Sequence, residues 1–226
     1  MRGPVLFAAA VAVLGSLPLG WAGEPPGAAV ILHVSSTVLS GEVPEAMPAR
    51  FVLLDDDDVY VGGTNDVAFT RLDRGDVKRI EKDLERVRKI PGLGARVAFG
   101  SGATTYRLTV RKGRPLDVTA TGDPASAPPG LRPLAALMAQ LATFDHPSLR
   151  SYRAAFYAAS AREGRLSGGC RAWSFPVPLA QALASPQPLA ASFVEDWPTG
   201  ASAASVCVGD KSYAVTLRPL LPGEKP

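Results

Sequence analysis

The stretch TYRLTVRKGRPLDVTAT (Thr105–Thr121) decides the fold class. Tyr106, Leu108 and Val110 alternate with Arg107, Thr109 and Arg111. Successive side chains of a strand point to opposite faces, so this pattern gives one apolar and one solvated face. RKGRP turns the chain, and Leu116, Val118 and Ala120 repeat the alternation. Two half-buried strands joined so tightly form an antiparallel hairpin; a parallel return needs a longer crossover.

Working outward, ARVAF precedes this hairpin as a further short strand, and before it stands the best-marked helix. Val77, Ile80, Leu84, Val87 and Ile90 recur at steps of three and four, which places them on one helical face. Charged residues fill the other positions and read as a solvated face. Asp73 is placed to cap the start, Asp76 favours the first turn, and Glu85 stands four residues before Lys89, a stabilising pair. PGLG (Pro91–Gly94) ends the helix. The glycines of PGLGARVAFGSG follow a helix and precede a strand, the reverse of a dinucleotide fingerprint, and read as turns.

Downstream, GDPASAPPG (Gly122–Gly130) is a Pro/Gly/Ser loop and reads as an internal boundary. A second amphipathic helix follows, with Leu131, Leu134, Leu137, Leu141 and Phe144 inward and Pro133 in its first turn. SYRAAFYAASARE fits strand or helix equally. GGCRAWSFPVPLAQALA holds a short strand and a turn or two of helix, and PQPLAASFVEDWPTGASAA reads largely as loop. SVCVGDKSYAVTL is a hairpin with Gly209-Asp210 at a type II′ turn. Upstream, AVILHVSSTVLS (Ala29–Ser40) is a strand. FVLLDDDDVYVGG (Phe51–Gly63) is two strands, Phe51–Leu54 and Val59–Val61, about an acidic turn. GTNDVAFTRLD leads into the first helix.

Helices do not alternate singly with strands. The expected class is therefore α+β: an antiparallel sheet with two amphipathic helices on one face, then an irregular, disulfide-stapled C-terminal part. Residues 1–22 read as a secretory signal peptide. Arg2 is the positive start, Pro4–Gly20 the apolar segment, and Gly20 and Ala22 the small residues before cleavage. Pro18 interrupts the apolar run, so no membrane span is expected after cleavage. Residues 23–150 are read as the α+β domain and 151–226 as a β-rich part packed on the same core. Cleavage leaves enough chain for a core that needs no staple. The expected location is the periplasm or the cell exterior. Cys170 and Cys207 are the two cysteines, and export favours their pairing, which contributes about 3–4 kcal/mol through loop closure.

A formal net charge of +3 without a Lys/Arg cluster gives no nucleic-acid footprint. Asp55 and Asp57 are the calcium candidates of the acidic run. A calcium loop takes ligands from alternate positions around a Gly, however, and four consecutive aspartates read better as a turn. FDHPSLR brings Asp145, His146 and Ser148 within four residues, the types of an acid, a base and a nucleophile. Triads are assembled from distant segments, and Pro147 stiffens this one, so the set reads as a turn after the second helix. His33 lies in an apolar strand, and two His with two scattered Cys do not make a zinc site. Trp173, Phe175 and Trp197 could line a carbohydrate or peptide groove, or serve as anchors near the bridge. No cofactor is expected.

Four segments carry a resemblance: FVLLDDDDVYVGG, RLDRGDVKRIEKDLERV, GGCRAWSFPVPL and YAVTLRPLLPGE. They resemble a loose set of uncharacterised exported bacterial proteins. That set carries an F-x-x-x-D-D-G-x-V strand–turn–strand, an RL helix opening, an R-x-W segment, and a C-terminal RPLLP followed by Gly or Asp and then Glu. This chain has Asp57 where that set often has Gly. The resemblance implies export and a bacterial source, and it assigns no site residues. The functional expectation is an exported binding or structural module without catalysis, its partner an unidentified protein or small molecule. The alternatives are a secreted hydrolase built on His146 with Asp145 or Ser148, and an envelope inhibitor or chaperone offering a sheet edge.

Overall fold

A computed structural model describes residues 25–36, 49–62, 66–164, 169–197 and 203–226. The expected signal peptide, residues 1–22, lies outside the described residues, as do positions 37–40 of the expected first strand.

Eight strands form the first sheet: β1 (Ala28–Ser36), β2 (Phe51–Leu54), β3 (Asp58–Gly62), β4 (Val67–Arg71), β5 (Arg96–Ala98), β6 (Thr104–Val110), β7 (Leu116–Thr121) and β8 (Arg150–Ser151). Their order is β5-β7-β6-β1-β2-β3-β4-β8, antiparallel except for the β5–β7 pair. The opening hairpin is β6–β7, with Val110 opposite Leu116 and Tyr106 opposite Ala120. β4 falls in the segment read as a lead-in to the helix. VAFTR alternates weakly, but it continues the meander by pairing with β3 from Asp58–Arg71 to Gly62–Val67.

Helices α1 (Arg74–Arg88) and α2 (Arg132–Ala142) pack on one face of this sheet. Val77, Ile80, Leu84 and Val87 of α1 meet Leu134, Leu137, Met138 and Leu141 of α2 over Leu32, Phe51, Val59, Leu108 and Val118. Burying each such side chain contributes roughly 1.5–3 kcal/mol. Ile90 lies beyond the end of α1, half-buried, because the helix closes at its C-cap Lys89. Among the described residues no ion pair joins Lys89 to Glu85; Arg88, one turn after Glu85, takes that carboxylate. The Gly122–Gly130 loop is not a boundary. It makes two short 3-10 turns, Pro124–Ser126 and Pro129–Leu131, and Ala127 and Leu131 join the same core.

β1 is buried on both faces. Its register shifts between Ala28 and Val30, so Val30 and Leu32 face the helices while Ala28 and Ile31 face the other side. There Ile31, Val52 and Tyr60 form a smaller core with Phe69, Tyr152 and Leu221.

The remaining chain builds a second, five-stranded sheet: β9 (Phe156–Glu163), β10 (Cys170–Ala172), β11 (Gln187–Ala190), β12 (Ala203–Val208) and β13 (Lys211–Pro219), in the order β10-β12-β13-β9-β11. The undecided segment is thus strand, with Tyr157, Ala159 and Ala161 facing its core. β11 lies in the segment read as loop, where Pro188 is tolerated because the strand is an edge. A short helix, α3 (Leu179–Ala184), leads into it. The β12–β13 turn has positive φ at Gly209, 59°, and not at Asp210, as a type II′ turn requires. Cys170 and Cys207 form a disulfide with 5.7 Å between Cα atoms, inside the ordinary range. Among the described residues no helix is long and apolar enough to cross a membrane.

Candidate functional site

His146 is positioned by the end of α2. Thr143 closes the helix, its backbone N–H and its hydroxyl both donating to the Ala139 carbonyl. The next turn stacks the imidazole on Phe144, rings 8° from parallel, and carries it to α1, where Nε2 lies 3.4 Å from Asp76 Oδ2. On the other side, the Ser148 backbone N–H donates to His146 Nδ1 at 3.2 Å. An imidazole nitrogen that accepts a hydrogen bond carries no proton. The neutral ring is therefore the Nε2–H tautomer, and its proton points at Asp76.

This arrangement separates the residues that proximity in sequence suggests as a triad. The carboxylate facing His146 belongs to Asp76, while Asp145 is exposed. Among the described residues no hydrogen bond joins the Ser148 hydroxyl to the ring, and the only lone pair available for a base is held by backbone. Asp76 is also engaged by Arg79 on its own helix. The cluster ties the α2–β8 loop to the first turn of α1. That turn is itself capped by Asp73, whose Oδ1 accepts from the Gly75 and Asp76 amides at 2.6 and 2.9 Å. Those two amides hold the Asp73 carboxyl below the usual carboxylate range.

Two of the four aspartates meet one arginine. Asp58 receives Arg71 Nε at 2.7 Å, and Asp56 lies 3.7 Å from the same guanidinium. The Asp56 carboxylate also accepts from the Asp58 amide, a local turn bond. Asp55 is exposed, and its amide donates to the Gly27 carbonyl. Asp57 is half-buried, with φ of 70°. Among the described residues no three His, Cys, Asp or Glu side chains converge to hold a metal ion.

Trp173, Phe175 and Trp197 pack on one another. The Trp173–Phe175 rings are 5.0 Å apart edge-to-face, and Phe175–Trp197 are 5.5 Å apart. Trp173 Nε1–H donates to the Val177 carbonyl at 2.7 Å. The trio packs on Val206, Tyr213, Val215 and Leu217 of the second sheet.

Two features escape sequence reading. The first is a groove between α1 and the strand ends. Its floor is Val30, Leu53, Val77, Ile80, Leu84 and Val110, and its rim includes Lys78, Glu81, Lys82, Arg88 and Lys112. Arg88 spans one end: Nη1 donates to Glu85, and Nη2 to the Lys112 carbonyl at 2.9 Å. Its Nε–H is buried and has no acceptor among the described residues. The i, i+4 pattern marks Ile80 and Leu84 as inward, but only the tertiary structure leaves space beside them.

The second feature is a clasp at the C-terminus. Arg218 Nη1 donates to Glu224 Oε1 at 2.6 Å, and Glu224 Oε2 accepts the Leu221 amide at 2.8 Å. The Glu224 side chain is 3% exposed, and burial pushes its carboxyl up despite Arg218. Tyr152 donates its hydroxyl to the Leu220 carbonyl, and Leu221 drops onto the outer core beside Tyr60. Burial pushes the Tyr60 phenol up to about 12, with Tyr152, Asp58 and Asp56 adding to the shift. The first and last letters of RPLLPGE are thus the two halves of one ion pair.

With this geometry in hand, comparison with known proteins found no matching family model, no matching curated protein and no matching solved structure.

Proposed function

We propose that the chain is an exported, non-catalytic binding module whose ligand is a small amphipathic acid held in the groove beneath α1. The carrying observation is the groove itself, an apolar floor ending at a guanidinium with an unmet buried N–H. Concave, mostly apolar sites with a few placed polar groups are the usual form of small-molecule sites. A buried donor without an acceptor is costly, and the guanidinium that carries it lines the end of the groove. The rim is of mixed charge, with Lys78, Lys82, Arg88 and Lys112 set among Asp57, Glu81 and Glu85. The bound His146 and the dispersed Asp145 and Ser148 support binding over hydrolysis. The Cys170–Cys207 bridge supports passage to an oxidising compartment, as do the signal-like first 22 residues and the resemblance to exported bacterial proteins.

Laurate is the test ligand, with dodecanol as its uncharged counterpart. Amide chemical shifts of Val30, Val77 and Val110 are expected to move with laurate. Arg88→Lys, which loses the forked donor set, is expected to weaken laurate about tenfold, one charge-assisted hydrogen bond's worth, and to leave dodecanol unchanged. Shifts absent from the groove at millimolar laurate would exclude this ligand class.

A further inference from the structure

We propose that the Cys170–Cys207 disulfide is a redox latch that holds the aromatic cover on the second sheet, so that a dithiol reductant opens that sheet while the first stays closed. The latch joins the shortest strand of the second sheet to its neighbour. β10 has three residues, all exposed, and lies at the sheet edge. It pairs in parallel with β12, from Cys170–Ser205 to Ala172–Cys207, and parallel pairing is the less stable kind. Three residues of parallel ladder hold an edge strand only weakly.

The segment after β10 forms the cover. Trp173 and Phe175 come within five residues of Cys170, and with Trp197 they shield Val206, Val215, Leu189 and Leu217. The Trp173–Val177 hydrogen bond lies within the cover and moves with it. Besides the bridge and the short ladder, Arg171 donates to the Asp196 carbonyl at 2.8 Å, an exposed bond. The covalent link is therefore the strong anchor at the start of the segment that carries the rings, while α3 and β11 fasten its far end to β9.

The two sulfurs differ in access. Cys170 is exposed, and Cys207 is half-buried, its Sγ 3.5 Å from the Ser212 hydroxyl. Exposed bridges are the labile ones. A thiolate of an incoming dithiol attacks Cys170 Sγ, forming a mixed disulfide and breaking the bond to Cys207 Sγ. Cys207 leaves as a thiolate and takes a proton from water. The second thiol of the reductant, deprotonated in its turn, attacks its own sulfur in the mixed disulfide and releases Cys170, which is protonated. The dithiol is oxidised by two electrons to its disulfide, and the protein gains two hydrogens. With the latch open, Trp173 and Phe175 are free to leave the sheet. Neither core cluster of the first sheet contains a residue between 169 and 197, so its packing is untouched.

The full chain is treated with dithiothreitol without denaturant, and reduction is confirmed by a mass gain of two hydrogens. Hydrogen exchange is then read segment by segment. Protection over residues 170–197 and 203–219 is expected to fall about tenfold or more, while residues 51–61 and 104–121 keep theirs. Oxidised glutathione is expected to restore the pattern. Cys170→Ser/Cys207→Ser is expected to show the open pattern with or without reductant. Three results overturn the proposal: a bridge that resists dithiothreitol in the folded protein, complete reduction with unchanged protection, or equal loss in both sheets.

Discussion

Asp57 holds a φ of 70°, the only positive value among the described non-glycine residues. Asp tolerates this region better than most residues but at a cost that Gly does not carry. The main-chain bonds of the turn do not use its side chain: its amide donates to Leu54, and its carbonyl accepts from Leu72. Asp57→Gly is therefore expected to stabilise the protein by about 0.5–1 kcal/mol, and Asp57→Ala to destabilise it, as read by urea unfolding. At this scale the sequence was partly legible. The run lacks the alternate ligand spacing and glycine of a calcium loop, and a turn is the better reading of it. That Asp56 and Asp58 would meet Arg71 depended on β4, which the alternation did not reveal. For His146 the sequence showed its neighbours in the chain but not Asp76, which arrives from another helix.

Elements with a strong internal period were the legible ones. The α1 stripe and its Asp73 cap depend on spacings of three and four residues, and the structure keeps both. The cap has a defined pH signature. Two amides hold the Asp73 carboxyl low, so its contribution is present above the carboxyl's unfolded pKa and is lost as pH falls through the lower folded value. Melting curves of wild type and Asp73→Ala are expected to differ at neutral pH and to converge in acid. A gap that persists in strong acid would mean the side chain acts by something other than its charge. β9 and β11 were not legible, for different reasons. Alanine in FYAASARE fits helix and strand alike, and Pro188 argues against a strand until its edge position is known. The groove belongs to no single element and has no local signature.

The whole molecule is α+β, as the alternation of the opening hairpin and the grouping of helices imply, and the disulfide joins the two cysteines in its C-terminal part. The strand order of the two sheets was hidden, because strand partners far apart in sequence leave no periodic trace. The clasp works at this scale, since it ties the last residues to the first sheet. Glu224→Ala removes a buried charge-assisted bond and a cap on Leu221, and is expected to cost about 2–3 kcal/mol in urea unfolding. Burial raises the Glu224 carboxyl, so the native state keeps its proton to higher pH than the unfolded chain does. Stability then falls as pH rises from the unfolded carboxyl value through the raised one. Glu224→Gln is expected to flatten that slope, and an unchanged slope would place its origin elsewhere.

The clasp also bears on the order of events after synthesis. Gly223 sits so close to the Pro26 ring that even one added carbon would collide with it, and β1 begins two residues after that proline. The outer surface of a central strand is thus completed by residues far downstream of it. Few contacts in a small protein close a longer loop, and such contacts form late. Until that downstream segment arrives, Ile31 and Tyr60 stay exposed, a window in which a holding partner would have something apolar to grasp.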